Sequence, residues 1–570
     1  MTTTPPDQPT GATPDATRVA TPAPSSSTAP AMSRREVLES LSGILLGMFV
    51  AVLATSVVSS SLPVIVNKLH GSQSSYTWVV VATLLTTCIS TPIWGKLADL
   101  TNRKTLIQVA LVISVVSAAA AGLSHNVATL ITFRAFQGLG AGGLTALATV
   151  LIADIISPRE RGKYMGLMGS IMGVSMVGGP LLGGVLTDSI GWRYNFFVGL
   201  PFAIAAILVL QRTLHLPTVQ RRSVRIDYWG AILIAVGIGT LLVWITFAGD
   251  KYDWISWQTF AMVGGSLVVL AVMVLVELRT AEPLIPMHLF RNRTLVLAVV
   301  ASVAVGVAMF GTSVFLSQYM QIARGKTPTQ SGLLTIPMVV GLFLTSSLIG
   351  QVISRTGRYK RYMVVGGVLL TIGLVLLSTI DYRTSFVIVS VYLFVLGAGV
   401  GMLMQNLVLA VQNTLRITEI GSGTATVAFF RTLGGAIGVS ALGAVLANRV
   451  STSITDGLAA LGVPADALGG SSSSIPDLSA VPPAVRTLIE QSYGDGIADV
   501  FLFAVPLAVV AFVAVCFLKE VPLGDKSGVQ QLLEDELVAE SFEAGAVENH
   551  VVPEDMLAQA PDVGRRGTAS

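Results

Sequence analysis

The chain has little charge and few thiols, and each scarcity excludes a class of protein. Only 12% of its 570 residues are charged, well below the share of a soluble globular domain. Its two cysteines, Cys88 and Cys516, lie inside apolar runs, which excludes a disulfide framework and a metal site. The net charge of +3 is spread over many short segments, so no nucleic-acid partner is expected. A G-x-x-x-x-G-K-S/T loop is absent, and we expect no cofactor.

The chain is rich in long apolar runs. Apolar residues make up 52% of the chain, and a helix needs about 20 of them to cross a bilayer core about 30 Å thick. Runs of that length recur between Leu41 and Leu518 and predict fourteen membrane-spanning helices. Lys and Arg concentrate in one alternating set of short connections, which places both termini in the cytoplasm. The sequence therefore predicts an all-α, multi-pass protein of the bacterial plasma membrane.

A short polar turn recurs in the two halves of the chain. GKLADLTNRK, residues 95–104, follows the second predicted span, and GQVISRTGRYK, residues 350–360, follows the tenth. The glycine-rich fifth span has a counterpart in the thirteenth, TLGGAIGVSALG. Because the repeat is six helices long, spans seven and eight are inserted between the halves. Such halves commonly form one binding site between two rocking bodies.

These boundaries divide the chain into five segments. We expect a disordered cytoplasmic N-terminal tail at 1–37, a six-helix bundle at 38–212, two inserted helices with flanking cytoplasmic loops at 213–293, a second six-helix bundle at 294–519 and an acidic cytoplasmic tail at 520–570. The second bundle includes an outer loop at 448–497, rich in Gly, Ser and Pro, with a surface helix around 481–491.

Four motifs occupy the turn after span two and spans four, five and six. They are GKLADLTNRK with Gly95, Asp99, Arg103 and Lys104; RAFQGLGAGG with Arg134, Gln137 and Gly138; SMVGGPLLGG with Gly179, Pro180, Gly183 and Gly184; and GWRYNFFVGLP at 191–201. In these motifs the chain resembles the major facilitator superfamily, and specifically its fourteen-span branch of drug:proton antiporters. The resemblance covers residues 38 to 520.

The resemblance implies a major facilitator fold, with two pseudo-symmetric six-helix bundles and two inserted central helices. It also implies a conformational latch on the cytoplasmic side, formed by the matched residues of the 95–104 turn. The acid of that turn, Asp99, can accept hydrogen bonds from Arg103 or from a facing helix. The glycines of span five permit close helix contact, and in a transporter they also form sliding surfaces.

Five positions depart from the family patterns. Two of them are Leu100 in the first turn and Ser175, a small residue at the first glycine position of the span-five motif. Asn102 stands at a glycine position of the turn, and we expect it to be tolerated because Asn accepts positive φ. Ser354 replaces the acid in the second copy of the turn, so the latch rests on Asp99 alone. Ala54 stands where the branch has an aspartate in span one. The acids nearest the membrane interior all lie at span ends: Asp154, Asp188, Glu277 and Asp499.

Polar side chains inside the spans mark the candidate cavity. Arg134 and Arg431 lie about 11–14 Å deep, where a charge costs about 2.5 kcal/mol or more unless it is paired or wetted. With Gln137 they are expected to be coupling residues of the cavity; the alternative is that either arginine ties down helix carbonyls. The substrate cavity is expected to include Gln318, Gln405, Asn406 and Phe430. With two arginines and no carboxylate, it favours neutral or anionic substrates.

These features predict a secondary active exporter rather than an enzyme. It would export amphipathic small molecules by alternating access in exchange for protons, as in multidrug efflux and antibiotic resistance, with Asp99, Asp154 and Asp188 as the remaining candidate proton carriers. Two alternatives stay open: a dedicated exporter of an endogenous metabolite, lipid precursor or self-made antibiotic, and a non-transporting scaffold. The expected partners are the substrate, protons and the lipid bilayer, and the protein is expected to work as a monomer.

Overall fold

The structure is a computed structural model, and it consists of helices joined by short turns. It describes residues 2, 34–69, 73–156, 158–213, 227–247, 252–280, 283–416, 419–460 and 482–523. Most of the expected N-terminal tail, the centre of the expected outer loop and the acidic tail from residue 524 onward lie outside the described residues. So do the side chains of Asp99, Asp154 and Asp188, although their backbone is described.

Fifteen α-helices follow one another along the described chain. They are α1 (Arg34–Lys68), α2 (Gln73–Leu100), α3 (Arg103–Gly122), α4 (Val127–Ile155), α5 (Pro158–Ser189), α6 (Gly199–Thr213), α7 (Tyr228–Phe247), α8 (Trp257–Arg279), α9 (Arg293–Gln318), α10 (Pro328–Leu334), α11 (Ile336–Thr356), α12 (Lys360–Leu377), α13 (Phe386–Gln412), α14 (Ile420–Ala460) and α15 (Pro483–Cys516). Short 3₁₀ turns at Trp192–Phe196 and Met287–Arg291 precede α6 and α9, and a π-helical turn at Tyr319–Ala323 follows α9.

Most of these helices are membrane-spanning by length and composition. Within the described residues, thirteen segments are long and apolar enough to cross a bilayer, and α10 with α11 counts as one of them. Helix α7 has a shorter apolar stretch, Trp229–Ile245, and is the candidate for the fourteenth span. The all-α membrane architecture predicted from the sequence is therefore confirmed.

The helices form two halves, α1–α6 and α9–α15, which meet through two matching helix pairs. Helix α5 packs along α11, and α2 packs along α14. The inserted helices α7 and α8 pack on each other, and α7 also contacts α2 and α14. Because α8 buries little of its surface, this pair lies on the outside of the bundle. We call the end of the bundle that holds the α2–α3 turn the base.

The two copies of the polar turn are built differently. In the first copy, Asn102 has φ −69° and ψ 110°, and its side chain accepts a hydrogen bond of 2.9 Å from the backbone N–H of Lys104. Asn102 therefore caps the N-terminus of α3. In the second copy, Gly357 ends α11 at φ 68°, which glycine adopts at little steric cost. Asn102 is thus accommodated by capping, and the expected role of positive φ there was wrong.

A two-helix stem replaces much of the expected outer loop at 448–497. Helix α14 has 41 residues, so at 1.5 Å per residue it is about 60 Å long, twice the thickness of a bilayer core. Ile454 and Leu458 near its end belong to one apolar cluster with Val485 of α15. The structure differs from the expected loop because apolar residues at i, i+4 spacing continue both helices beyond the membrane. The predicted surface helix at 481–491 is the first part of α15.

The segment after α15 folds back onto the base of the second half. The Glu520 carboxylate accepts hydrogen bonds from the backbone N–H groups of Tyr359 and Lys360, at 3.0 and 3.3 Å. Burial raises the pKa of the Tyr359 hydroxyl, which accepts a hydrogen bond from the N–H of Val521. These contacts lie at the N-terminus of α12, where the helix dipole favours a negative charge. Glu520 therefore fastens the end of α15 to α12.

We expect Glu520→Ala to lower the stability of the folded protein by about 1 kcal/mol, because two N–H groups at the start of α12 lose their acceptor. Thermal unfolding of the protein in detergent measures the change. Glu490→Ala is the matched control, since Glu490 forms an i, i+4 pair with the half-exposed Arg486, a contact worth about 0.3–0.5 kcal/mol. Equal losses in the two variants would contradict the role given to Glu520.

Candidate functional site

A buried arginine and a buried glutamine form the polar centre of the first half. Arg134 on α4 is 4% exposed, and its NH1 group donates to Gln137 Oε1 at 2.8 Å. Gln137 is fully buried, and its Nε2 donates to the carbonyl oxygen of Ala54 on α1 at 3.4 Å. The structure therefore brings together two predicted coupling residues and the position that lacks the usual acid.

The charge of Arg134 is not balanced by an acid in the described part of the chain. No described carboxylate forms an ion pair with this side chain, and its Nε atom is buried without a hydrogen-bond partner. A buried cation of this kind is costly unless an anion or water compensates it. Arg134 is therefore a buried cation whose charge no described acid balances.

The second half places a similar arginine at its own centre. Arg431 on α14 is 5% exposed, and its NH1 group lies 3.5 Å from the carbonyl oxygen of Met404 on α13. As with Arg134, no described acid forms an ion pair with it. Each half thus carries a buried arginine at its centre, and α14 also packs along α2 of the opposite half.

The predicted cavity residues do not all meet. Gln405 on α13 reaches the opposite half, where its Nε2 lies 3.4 Å from the sulfur of Met172 on α5, and its Oε1 is buried without a partner. Asn406 instead donates to the carbonyl oxygen of Met402 in its own helix, at 2.7 Å. Gln405 therefore bridges the two halves.

The other two predicted cavity residues are Gln318 and Phe430. Gln318 is half-buried in the last turn of α9. Phe430 makes edge-to-face contacts with Phe429 and with Phe290, at 5.1 and 6.2 Å between ring centres. Phe290 belongs to the 3₁₀ turn before α9, so the ring of Phe430 lies beside the segment that follows the inserted helices.

Open space adjoins α1 inside the first half. Gly47 is buried, yet a Cβ atom built there would meet no atom within 4 Å. Ala54 lies seven residues further along, which is two helical turns and the same face of α1. The face of α1 that receives Gln137 therefore also borders unfilled volume.

The glycine motif of span five is a packing surface for two different helices. A Cβ atom at Gly179 would lie 2.6 Å from the Cβ of Ser56 on α1, and one at Gly184 would lie 2.7 Å from Thr329 Oγ1 on α10. Between them, the carbonyl oxygen of Gly183 accepts a hydrogen bond from Ser61 at 3.0 Å. With Pro180 inside the helix, this motif joins α1 of its own half to α10 of the other.

Asn195 is a structural residue of this region that the sequence did not reveal. Its Nδ2 donates to Ser61 Oγ at 2.8 Å and to Thr187 Oγ1 at 2.9 Å, so it joins the 3₁₀ turn before α6 to α1 and α5. The motif at 191–201 includes Asn195, but nothing in the motif predicted a structural role for this side chain. The partners are 134 and 8 residues away in sequence, so only the fold brings them together.

The predicted latch lies at the base, where the two halves touch. A Cβ atom at Gly95 would overlap the side chain of Ala425 and lie 3.1 Å from the carbonyl oxygen of Gly421, both on α14. Arg103 Nε donates to the carbonyl oxygen of Ala98 at 2.7 Å, and Lys104 Nζ donates to that of Gln211 at 2.9 Å. Gly95 therefore meets the other half, while these two bonds of the basic residues stay within their own half.

Comparison with known proteins gives the family of the chain. The model of the Major Facilitator Superfamily matches residues 44–439. An uncharacterized MFS-type transporter of Mycobacterium tuberculosis is 36% identical over 492 residues, which cover 86% of this chain and 70% of the relative. The multidrug transporter protein MdtP of Bacillus subtilis is 33% identical over 426 residues, 75% of this chain and 78% of the relative.

A solved structure has the same fold. The human organic anion transporter MFSD10 matches with a TM-score of 0.56 and 14% identity, over 83% of this chain and 99% of that one. At this identity the likeness concerns the fold alone, and it confirms the major facilitator fold expected from the sequence. Together with the family match, it establishes that the chain belongs to the major facilitator superfamily of multi-pass membrane transporters.

Proposed function

We propose that the protein is a secondary active exporter of amphipathic small molecules across the plasma membrane, with both termini in the cytoplasm. The observation that carries the proposal is the placement of Arg134 and Arg431, a buried arginine at the centre of each half, in a bundle whose halves meet through α2 with α14 and α5 with α11. A similar multidrug transporter in Bacillus subtilis supports the efflux direction. The base then corresponds to the cytoplasmic face.

The two halves would move against each other about their glycine-lined contacts. Gly95 lies against α14 at the base, and Gly184 lies against α10 in the other interface. Contacts without intervening side chains can separate and re-form with little rearrangement. Opening at the base would admit substrate from the cytoplasm, and opening at the other end would release it, as alternating access requires.

The substrate class follows from the charge of the interior. Arg134 and Arg431 have no described acid as partner, and Ala54 offers no carboxylate to a cationic drug. Neutral and anionic substrates are therefore favoured over dications, because a bound anion offsets the cost of the buried guanidinium groups. Gln137 and Gln405 would supply hydrogen bonds that orient the substrate.

Export would be coupled to inward proton movement. A carboxylate that is exposed to each side in turn is the simplest proton carrier, and Asp99, Asp154 and Asp188 are the acids of the first half near span ends. Asp99 would also act as the acid of the latch at the base. The Asp99→Asn variant tests both roles, because it keeps the shape of the side chain and removes its charge.

The preference for anions predicts different export rates for two dyes in matched vesicles. We expect an anionic amphipathic dye to be exported faster than a dicationic one, and Arg134→Ala to slow export of the anion at least about tenfold, or about 1.4 kcal/mol. Arg134→Lys should restore part of the rate because it keeps the positive charge. Arg449→Ala is the control, since Arg449 forms an exposed ion pair with Asp499.

A strong preference for the dication would overturn the assigned substrate class. Export of one metabolite alone, across a panel of charged and uncharged compounds, would instead favour the dedicated exporter. Absence of any flux in proteoliposomes that contain correctly folded protein would favour the non-transporting scaffold.

Closure at the base predicts a change in the reactivity of a native thiol. Cys88 on α2 is fully buried, with its sulfur 3.8 Å from the carbonyl oxygen of Phe429 on α14. Gly95→Ala should hold α2 away from α14, slow transport severalfold and speed the reaction of Cys88 with N-ethylmaleimide. The test uses a Cys516→Ser background, which leaves Cys88 as the one thiol.

Gly264→Ala on α8 is the matched control for this variant, because a Cβ atom there would meet no atom within 4 Å. It should alter neither transport nor the alkylation rate. Unchanged alkylation of Cys88 in the Gly95→Ala protein would contradict the closed contact at the base.

A further inference from the structure

Two buried acids meet at the base of the inserted helix pair. Asp227 immediately precedes α7, and Glu277 lies in the last turn of α8. Their residues are 8% and 2% exposed, although both lie at the end of a helix. In a bilayer, ionisable side chains hidden to this degree are costly and are commonly functional.

The two carboxylates point at one small volume beside Gly230. A Cβ atom at Gly230 would lie 2.6 Å from Asp227 Oδ2 and 2.7 Å from Glu277 Oε1, so the two oxygens border the same space. Both are buried, and neither has a hydrogen-bond partner among the described residues. The other oxygen of each group is satisfied: Asp227 Oδ1 accepts from Gly230 N–H at 2.8 Å, and Glu277 Oε2 accepts from Ile285 N–H at 3.3 Å.

Among the described residues, a basic group on a neighbouring helix acts on this pair. Lys96 on α2 acts electrostatically on Glu277. The other charged groups on packed elements are engaged or exposed: His288 is hydrogen-bonded to a glutamate before α14, Arg431 points to a carbonyl of α13, and Arg291 is exposed. Lys96 can offset one negative charge, which leaves the second without compensation if both acids are ionised.

We propose that Asp227 and Glu277 together bind one proton, which lies between Asp227 Oδ2 and Glu277 Oε1. Two carboxylates that share a buried site cannot both ionise cheaply, because their charges repel and water is excluded. One proton supplies the missing hydrogen-bond donor for both unpartnered oxygens. Lys96 acts electrostatically on the single negative charge that remains.

The position of this group connects it to the contact between the halves. Lys96 directly follows Gly95, which lies against α14, and α7 packs on both α2 and α14. Loss of the proton would add a negative charge beside Lys96 and strengthen its attraction to the inserted helices. A role in opening the base rests on the proposed transport function, whereas proton binding by the pair does not.

Infrared spectroscopy of the protein reconstituted in lipid tests proton binding directly. We expect the wild type at neutral pH to show the C=O stretch of a protonated carboxylic acid, which disappears as the pH is raised. Asp227→Asn and Glu277→Gln should each abolish this band, because the remaining acid then accepts a hydrogen bond from an amide and stays ionised. Glu490→Gln, which alters a partly exposed acid, should retain it.

The pH dependence of thermal stability is a second measurement of proton binding that does not depend on the infrared spectrum. At neutral pH the folded protein holds a proton that the unfolded chain has already released, because free carboxyls titrate at about pH 4. The stability from the pair should therefore fall as the pH rises from about 4 through the titration of the folded pair. Glu277→Gln mimics the protonated state and should remove that part of the pH dependence. The same pH profile in wild type and variant would overturn the proposal.

Alanine variants of two glycines, one beside the acids and one elsewhere, form a test and its matched control. Gly230→Ala should force the two oxygens apart and abolish the band, whereas Gly265→Ala on α8 should not, because its Cβ would meet no atom within 4 Å. A band that persists in both acid variants would overturn the site. Loss of the band on replacing choline by sodium would identify a metal cation as the ligand and would also overturn it.

Transport is measured separately on the same preparations. A wild type that shows the band but no proton-linked export would keep the protonation site and reject the proposed antiport. Proton-linked export without the band would reject the site and keep the antiport. The two claims can therefore fail independently.

Discussion

The hydrocarbon layer offers no hydrogen bonds, so each polar side chain of these helices must find its partner inside the bundle. Most of them do so locally or across one helix pair, as Ser266 on α8 does by donating to the carbonyl oxygen of Gly237 on α7. These satisfied groups hold the helices of each half in place. Some buried atoms lack a partner in the described part of the chain, and ligands are assigned to four of the side chains that carry them: Arg134, Gln405, Asp227 and Glu277.

Those groups fall at two levels of the bundle. Arg134 and Gln405 keep unpartnered polar atoms near the interface of the halves, where substrate would bind. Asp227 and Glu277 do so at the base, beside the contact of Gly95 with α14. Cations at the centre and a proton-binding pair at the base would separate substrate recognition from proton binding, in a chain whose first span has Ala54 in place of the usual acid.

The sequence predicts much of the fold because hydropathy and the motifs act locally. The apolar runs predict the helices, and the repeated turn predicts the two halves. The prediction for Asn102 was wrong because an asparagine in a turn can either adopt positive φ or cap the following helix, and Asn102 caps α3. The stem of α14 and α15 was also missed, although the spacing of Ile454 and Leu458 gave a signal. The Asp227 and Glu277 pair was not predictable, since only the packing of α7 on α8 brings these acids together.

In the proposed function, the two halves move against each other at the base during transport. Spin labels at Thr105→Cys and Arg416→Cys, two exposed positions at the base of the two halves, would report the distance between them by double electron–electron resonance. The labels would be placed in a background without the native cysteines. Alternating access predicts two distance populations whose proportions shift when an exported anion is added. A single distance distribution that substrate does not change, in a preparation that transports this substrate, would contradict movement of the halves at the base.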